Sequence, residues 1–466
     1  MASVFALPNS DKRTINDLSK TGLLGKLIAL FIIYGLCLGH AVPAWGKVYL
    51  DIDSPAWQQF AIAVPDFQNL AGKNGAPGVP SNAATLFAEQ LSDLLRITAF
   101  FNVINKKAYP SPQPPSLEGS QEGGNFASWL ASGAEYLVQG FFLQRGSDLT
   151  MECRLYDVVK AEIVLEKKYV GKTAEGKTML RKFAGEIMLA LTGDGDIFNT
   201  RIAFVMKKGR ATDIFSINYD GTDLLKEKES RTILMSPRWS AEGRYLSFTS
   251  FEEGNPDFFV KDMLNGTITK VMAFPGINLS GGWSFLGQKV LLTLSKEGNE
   301  EIFVLDFGSK LLQRLTTNIA IDVSPVWSPD GGKVAFVSKR SGTPQIYIMD
   351  ADGDNVRRLT YEGNYNTSPA WSPKGDRLAY EGMVNGNFQI FTIGTEGEGL
   401  KQLTFDNGGG KSPSWSPDGR YLAFGKNIAG KKKIYITTVT GLNLRLLYEG
   451  DGDGVSPSWS PRLKVR

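Results

Sequence analysis

The side chains best suited to chemistry are scarce in this chain of 466 residues: one histidine, His40, and two cysteines, Cys37 and Cys153. His40 lies in an apolar leader. Everything after residue 46 is therefore without an imidazole for a Ser-His-Asp triad, a Cys-His pair, or a histidine-ligated zinc, iron or copper site. Neither a G-x-S-x-G elbow nor a phosphate-binding P-loop occurs. Cys153 falls within a predicted strand, where a buried, inert thiol is expected. "DADGDN", from Asp350 to Asn355, resembles a calcium loop, but its glycine stands fourth instead of sixth and Tyr361 occupies the place of the closing glutamate. It reads as a hairpin turn, as do "GDGD" at 193–196 and "DGDG" at 451–454. Metal ligands are therefore assigned to no residue and no cofactor is expected, with a loosely held calcium near the centre of the fold as the weak exception. Nor do paired carboxylates of the kind used in glycoside hydrolysis recur: Asp322 has Asn278 and Asn366 near the corresponding places of its neighbours. Binding is expected over catalysis. The alternative is an exported hydrolase or lyase acting on a small substrate or peptide.

The elements that would position a binding surface follow from spacing. Trp239, Trp283, Trp327, Trp371, Trp415 and Trp459 stand 44 residues apart, without an insertion. A serine lies three residues before each and another immediately after each. Within one period, "SPVW", the turn "SPDG", "KVAFVS", "IYIMD", the turn "ADGD" and "VRRLT" read as four short antiparallel strands. Four strands in 40–45 residues describe a propeller blade. A single such sheet cannot bury both faces, so blades must stack around an axis. Each tryptophan is expected in the wedge between blades, burying on the order of 200 Å², worth several kcal/mol at about 25 cal/mol/Å².

The last copy stops seven residues after Trp459, while residues 201–222 form a blade without its opening strand. The missing tryptophan of that first unit would fall at Gly195, six periods before Trp459. The C-terminal "SPSWSP" is thus predicted to supply the first strand of the blade begun at residues 201–235, closing a ring of six without an open edge.

Residues 47–192 lack the period. "FAIAV", "YLVQGFFL", "LTMECRLYDV" and "EIVLEKKYV" are predicted strands, the last two joined around Val158–Ala161, and "KVYLDID" is another. "AATLFAEQLSDLLRI" and "EGKTMLRKFAGEIMLAL" are predicted amphipathic helices, and "SPQPPSLEGSQEGG" a solvated loop. The fold class is mainly β: a six-bladed propeller over 201–466, preceded by a small α/β domain over 47–192 and a linker over 193–200. Residues 1–46 read as a signal peptide, with a basic segment ending at Lys26 and an apolar run of thirteen residues, 27–39, too short to span a bilayer comfortably. Export, with a single cysteine after the leader, fits the periplasm of a Gram-negative cell. Formal net charge is +3, with both signs mixed, which implies neither nucleic acid nor an anionic membrane as partner.

In such blades the loop from the last strand to the next blade emerges beside the loop joining strands two and three, around one channel mouth. Function is expected on that rim, at Ile277, Asn278, Ser280, Asp322, Tyr365, Asn366, Thr367 and Lys411. The repeated tryptophans and serines are expected to be architecture.

With "VYLDID…FAIAVPDF", "LTGDGDIFNTRIAFV" and the "SPxWSPDGxxLAF" series in this order, the sequence resembles the TolB family of the periplasmic Tol-Pal system. "WSAEG" and "WSFLG" depart from the family's Ser-Pro-Asp-Gly turn. The resemblance implies a non-enzymatic, monomeric protein that supports outer-membrane integrity and constriction during division. It further implies that the propeller rim, including "FPGINLS" at Phe274–Ser280, binds the peptidoglycan-associated lipoprotein Pal. The extended segment Lys47, Val48, Tyr49, Leu50, Asp51, Ile52 and Asp53 would engage the C-terminal domain of TolA, by adding to another sheet's edge, without insertion of the mature protein into a membrane.

Overall fold

The computed structural model describes residues 58–71, 82–110 and 126–463. The expected leader, the segment Lys47–Asp53 and the loop at 111–124 lie outside the described residues.

The first domain is a mixed sheet with helices. Its strands are β1 (Phe60–Ala63), β2 (Gln68–Asn69), β3 (Phe101–Val103), β4 (Tyr136–Arg145), β5 (Asp148–Asp157) and β6 (Glu162–Lys172). They run in the order β3-β1-β4-β5-β6, with β2 paired to β4. β1 lies parallel to β3 and β4, and β4, β5 and β6 form an antiparallel meander. Helices α1 (Ala83–Arg96) and α3 (Gly176–Thr192) carry apolar residues at helical spacing. Leu91, Leu94, Leu95, Leu180, Phe183 and Ile187 are buried, whereas Leu86 faces out at 41% exposure. Short helix α2 (Phe126–Ala131) and strand β3 lack a periodic run and were not expected from the sequence. Cys153 is fully buried, and burial pushes its thiol up to about 12, as an inert side chain requires.

The second domain is a propeller of six four-stranded sheets. Five are continuous in sequence, over 234–272, 278–314, 322–358, 366–402 and 411–446. The sixth combines β7 (Arg201–Lys208), β8 (Ala211–Asn218) and β9 (Leu225–Lys228) with the C-terminal strand Asp453–Trp459, in which Trp459 faces Ile202 and Asp453 faces Lys207. The predicted closure of the ring is the observed one. Outermost strands are short, only two residues at Arg357–Arg358 and Lys401–Gln402, which leaves little exposed edge for another chain to pair with.

The tryptophans fill the wedges. Trp283 packs in one cluster with Phe258 and Val260 of the preceding blade, and Trp415 with Ala379 and Ile390 of its predecessor. Both serines of the repeat have structural work. Before the tryptophan, Ser236, Ser324, Ser368, Ser412 and Ser456 adopt φ between +52° and +56° at a bulge in the inner strand. After the tryptophan, a hydroxyl accepts the backbone N–H that opens strand two: Tyr245 to Ser240, Lys333 to Ser328 and Tyr421 to Ser416, at 2.8–2.9 Å. Ser460 does the same for Arg201 at 2.9 Å, 259 residues away in sequence.

Gly195, at the place of the absent tryptophan, lies where the chain leaves α3 and enters the ring. Its Cα sits so close to the Gly185 carbonyl that a Cβ would approach it to 2.0 Å. The short segment 193–200 turns through Asp196–Asn199 and buries Ile197 and Phe198. One apolar cluster therefore runs from Leu94, Leu95 and Ile187 through Phe198 to Tyr219, Tyr421 and Trp459. Polar contacts reinforce the joint. Arg181 of α3 donates to Asp220 at 2.9 Å, the Tyr219 hydroxyl to the Ile97 carbonyl at 2.7 Å, and the Tyr421 hydroxyl to the Thr98 carbonyl.

Candidate binding rim of the propeller

Every inner strand starts at one end of the channel and finishes at its tryptophan at the other. The starting end gathers the inter-blade loops and the loops between strands two and three. Backbone bonds tie the two sets together: Asn278 N–H donates to Pro256 O, Asp322 N–H to Glu300 O and Asn366 N–H to Pro344 O, at 2.9–3.0 Å. The α/β domain contacts the propeller through Tyr219, Asp220, Arg420 and Tyr421 at the opposite, tryptophan-bearing end, so the rim is left uncovered by the described residues.

The side chains expected to be displayed on this rim are mostly turned inward. Asn278 and Asp322 are fully buried, Asn366 is 2% exposed and Ser280 7%. Their placement on solvated loops is corrected: each belongs to an inner strand, and the first three use their side chains to satisfy loop groups that no sheet partner reaches. Asn278 accepts from the Phe274 N–H at 3.0 Å and donates to the Phe274 carbonyl at 2.7 Å. Asn366 donates to Glu362 O and to Gln345 Oε1, both at 2.8 Å. Asp322 accepts from Arg340 at 2.7 Å, whose guanidinium also lies over the rings of Phe336 and Tyr347 at 5.4 and 5.2 Å. Burial raises the Asp322 carboxyl above its ordinary value, more than the Ser338 hydroxyl and Arg340 lower it. Ser280 shares a hydrogen bond of 2.9 Å with Ser247 of the preceding blade. Ile277 is half-buried, its N–H donating to the Ser295 hydroxyl, and Thr367 is half-buried, donating to Glu381 at 2.7 Å.

Two expected residues do face solvent. Tyr365 is 38% exposed and stands edge-on to Phe388 at 5.4 Å, and the Lys411 ammonium lies 4.4 Å over the same ring. The most accessible apolar side chains of the rim were missed: Ile319 at 100%, Phe405 at 76% and Tyr361 at 73% exposure. All three sit in inter-blade loops, just after the "LT" that ends a blade ("LTTNI", "LTYEG", "LTFDN"). An apolar residue after that dipeptide, in a stretch with nothing to pack on, was the available signal. The loop carrying Ile319 is held by Asn318 and Asn299, which bond Ala320 N–H and Asn318 O at 2.9 and 2.8 Å. The rim can thus present apolar groups in fixed positions, which lowers the ordering cost of binding.

Among the described residues no group of three or more His, Cys, Asp and Glu side chains could hold a metal ion, and no helix is long and apolar enough to cross a membrane. A closed six-bladed ring with a pinned rim and a docked α/β domain defines a propeller scaffold of the two-domain kind. A family model for the TolB β-propeller domain matches residues 189–463, and one for the TolB amino-terminal domain matches 48–164. The chain belongs to the TolB family. It is 45% identical over 255 residues to the Tol-Pal system protein TolB of Syntrophus aciditrophicus, covering 53% of this chain and 55% of that one. It is 39% identical over 232 residues to the protein of the same name from Desulfosudis oleivorans, covering 50% and 52%. The chain thus spans about half the length of the curated relatives it matches. The crystal structure of TolB from Acinetobacter baumannii superposes with a TM-score of 0.75 at 25% identity, over 87% of this chain and 97% of that one.

Proposed function

We propose that this protein is a monomeric, non-enzymatic component of the Tol-Pal envelope system, exported to the periplasm by a cleaved signal peptide and working without a cofactor. Its propeller rim binds the lipoprotein Pal, and its N-terminal segment Lys47–Asp53 engages the C-terminal domain of TolA. By linking the two it supports outer-membrane integrity and constriction during division. The observation that carries this reading is the rim itself. Exposed Ile319, Tyr361 and Phe405 project from loops in which the carbonyl of an adjacent residue is held by a side chain: Asn318 O by Asn299, Glu362 O by Asn366 and Asp406 O by Gln389, at 2.8–2.9 Å. Rigid apolar anchors of this kind are what partner-binding surfaces concentrate their energy in.

Co-purification with Pal and with TolA tests it. The double variant Ile319→Asp/Phe405→Asp is expected to weaken Pal binding at least tenfold, since an anchor is worth about 2 kcal/mol or more, while TolA binding and melting temperature stay unchanged. Deleting Lys47–Asp53 is expected to abolish TolA capture and leave the propeller's cooperative melt intact. Pal affinity unaffected by two charges on the rim, or TolA affinity unaffected by the deletion, would defeat the corresponding half.

A further inference from the structure

At the tryptophan end of the channel lies a cavity of about 280 Å³, just below the usual range for ligand sites. Its walls are the six indoles together with prolines such as Pro373, Pro413 and Pro461, and among its lining residues one side chain alone is charged, Arg238. Arg238 occupies the position between Pro and Trp of the repeat, where the other blades have Gly282, Val326, Ala370, Ser414 and Ser458. A guanidinium offers five N–H donors. The hydrogen bond found here goes to the carbonyl of its own neighbour, Pro237, at 3.2 Å. Desolvation lowers its pKa and no acidic group acts to raise it. The indoles contribute apolar surface to the cavity and keep their N–H groups within the walls. The indole N–H groups of Trp283, Trp415 and Trp459 bond Ser247, the Ala370 carbonyl and Thr200, each at 2.9 Å. Those of Trp239 and Trp327, residues 8% and 9% exposed, are likewise enclosed within the walls and out of reach of the cavity.

The cavity therefore holds one positive charge inside an aromatic and proline wall, with no acidic side chain among its lining residues. Arg238 is half-buried, and a cation drawn out of water without a counter-ion is costly, so the complementary ligand is one that brings negative charge. We propose that this cavity binds a small organic carboxylate with an apolar body, its carboxylate on the Arg238 guanidinium and its body against the tryptophan and proline walls. The site is at the opposite end of the channel from the rim and stands independently of the partner-binding reading. A bare inorganic anion would satisfy the charge but leave the apolar wall unused.

Titration calorimetry and tryptophan fluorescence with phenylacetate, phenylacetamide and inorganic phosphate test the proposal. Phenylacetate is expected to bind one-to-one, at least about tenfold tighter than its uncharged amide. Arg238→Met should remove that preference. Equal binding of acid and amide, undiminished phenylacetate binding by a folded Arg238→Met protein, phosphate binding as tightly as phenylacetate, or no response to any probe would each overturn it. The acid–amide comparison uses the unaltered protein and decides the matter even where a variant fails to fold.

Discussion

Ser324 has φ +56° in the middle of an inner strand, a conformation that costs an ordinary side chain about 1–2 kcal/mol and a β-branched one more. Five of the six repeats place a serine there, because a small side chain tolerates the bulge that brings the tryptophan onto the wedge. The exception is Ser280, where Gly281 and Gly282 follow and the bulge falls between Ser280 and Trp283. Ser324→Val is accordingly expected to destabilise the propeller by about 2 kcal/mol, whereas Ser324→Gly should be neutral or slightly stabilising. Urea unfolding distinguishes them; equal midpoints for the two variants would contradict the argument. The regular spacing made these serines visible as architecture, but their two different duties, backbone bulge and turn closure, are visible only once the strand register is known.

The closing strand Asp453–Trp459 completes a sheet with β7, β8 and β9. Without it, β7 would show a row of unpaired N–H and C=O groups over residues 202–207, and such an edge recruits other chains. Truncation after residue 452 is expected to turn the protein from a monodisperse species into soluble aggregates on size-exclusion chromatography. A truncated protein that stays monomeric and melts as the full chain does would show that closure contributes little. This latch was legible beforehand, since a strand missing at one end and surplus at the other can be counted. The inward turn of Asn278, Asp322 and Asn366 was not. Their polarity and loop position look identical to those of solvated residues, and only the unsatisfied groups of the folded loops reveal that they are needed inside.

The two domains share one apolar core, sealed by the Arg181–Asp220 pair, whose side chains are 17% and 3% exposed. Burial alone would raise the Asp220 carboxyl, but the Thr222 hydroxyl and the Arg181 guanidinium outweigh it and hold the carboxyl below its ordinary value. A carboxyl depressed in the folded state stabilises above its unfolded pKa, about 3.9. That contribution is lost as pH falls through the lower folded value. Docking is expected to be constant from neutrality to about pH 4 and to weaken below it. Arg181→Met strands Asp220 and is expected to cost about 3 kcal/mol. Protease cutting between residues 193 and 200, slow in the unaltered protein, would become fast in the variant at pH 7 and in the unaltered protein near pH 3. Equal cutting rates throughout would mean that the apolar contact alone holds the domains together.

Periodicity and composition by themselves determined the number of blades, the closure of the ring and the lack of any histidine after residue 46, because those depend on residue types recurring along the chain. The tertiary structure alone decided which rim residues point outward, that Gly195 and Phe198 weld the domains into one core, and that Arg238 faces a channel in which the described residues place no counter-charge. Each of these is a relation between residues distant in sequence, and burial and unmet hydrogen bonds exist only after folding has brought them together.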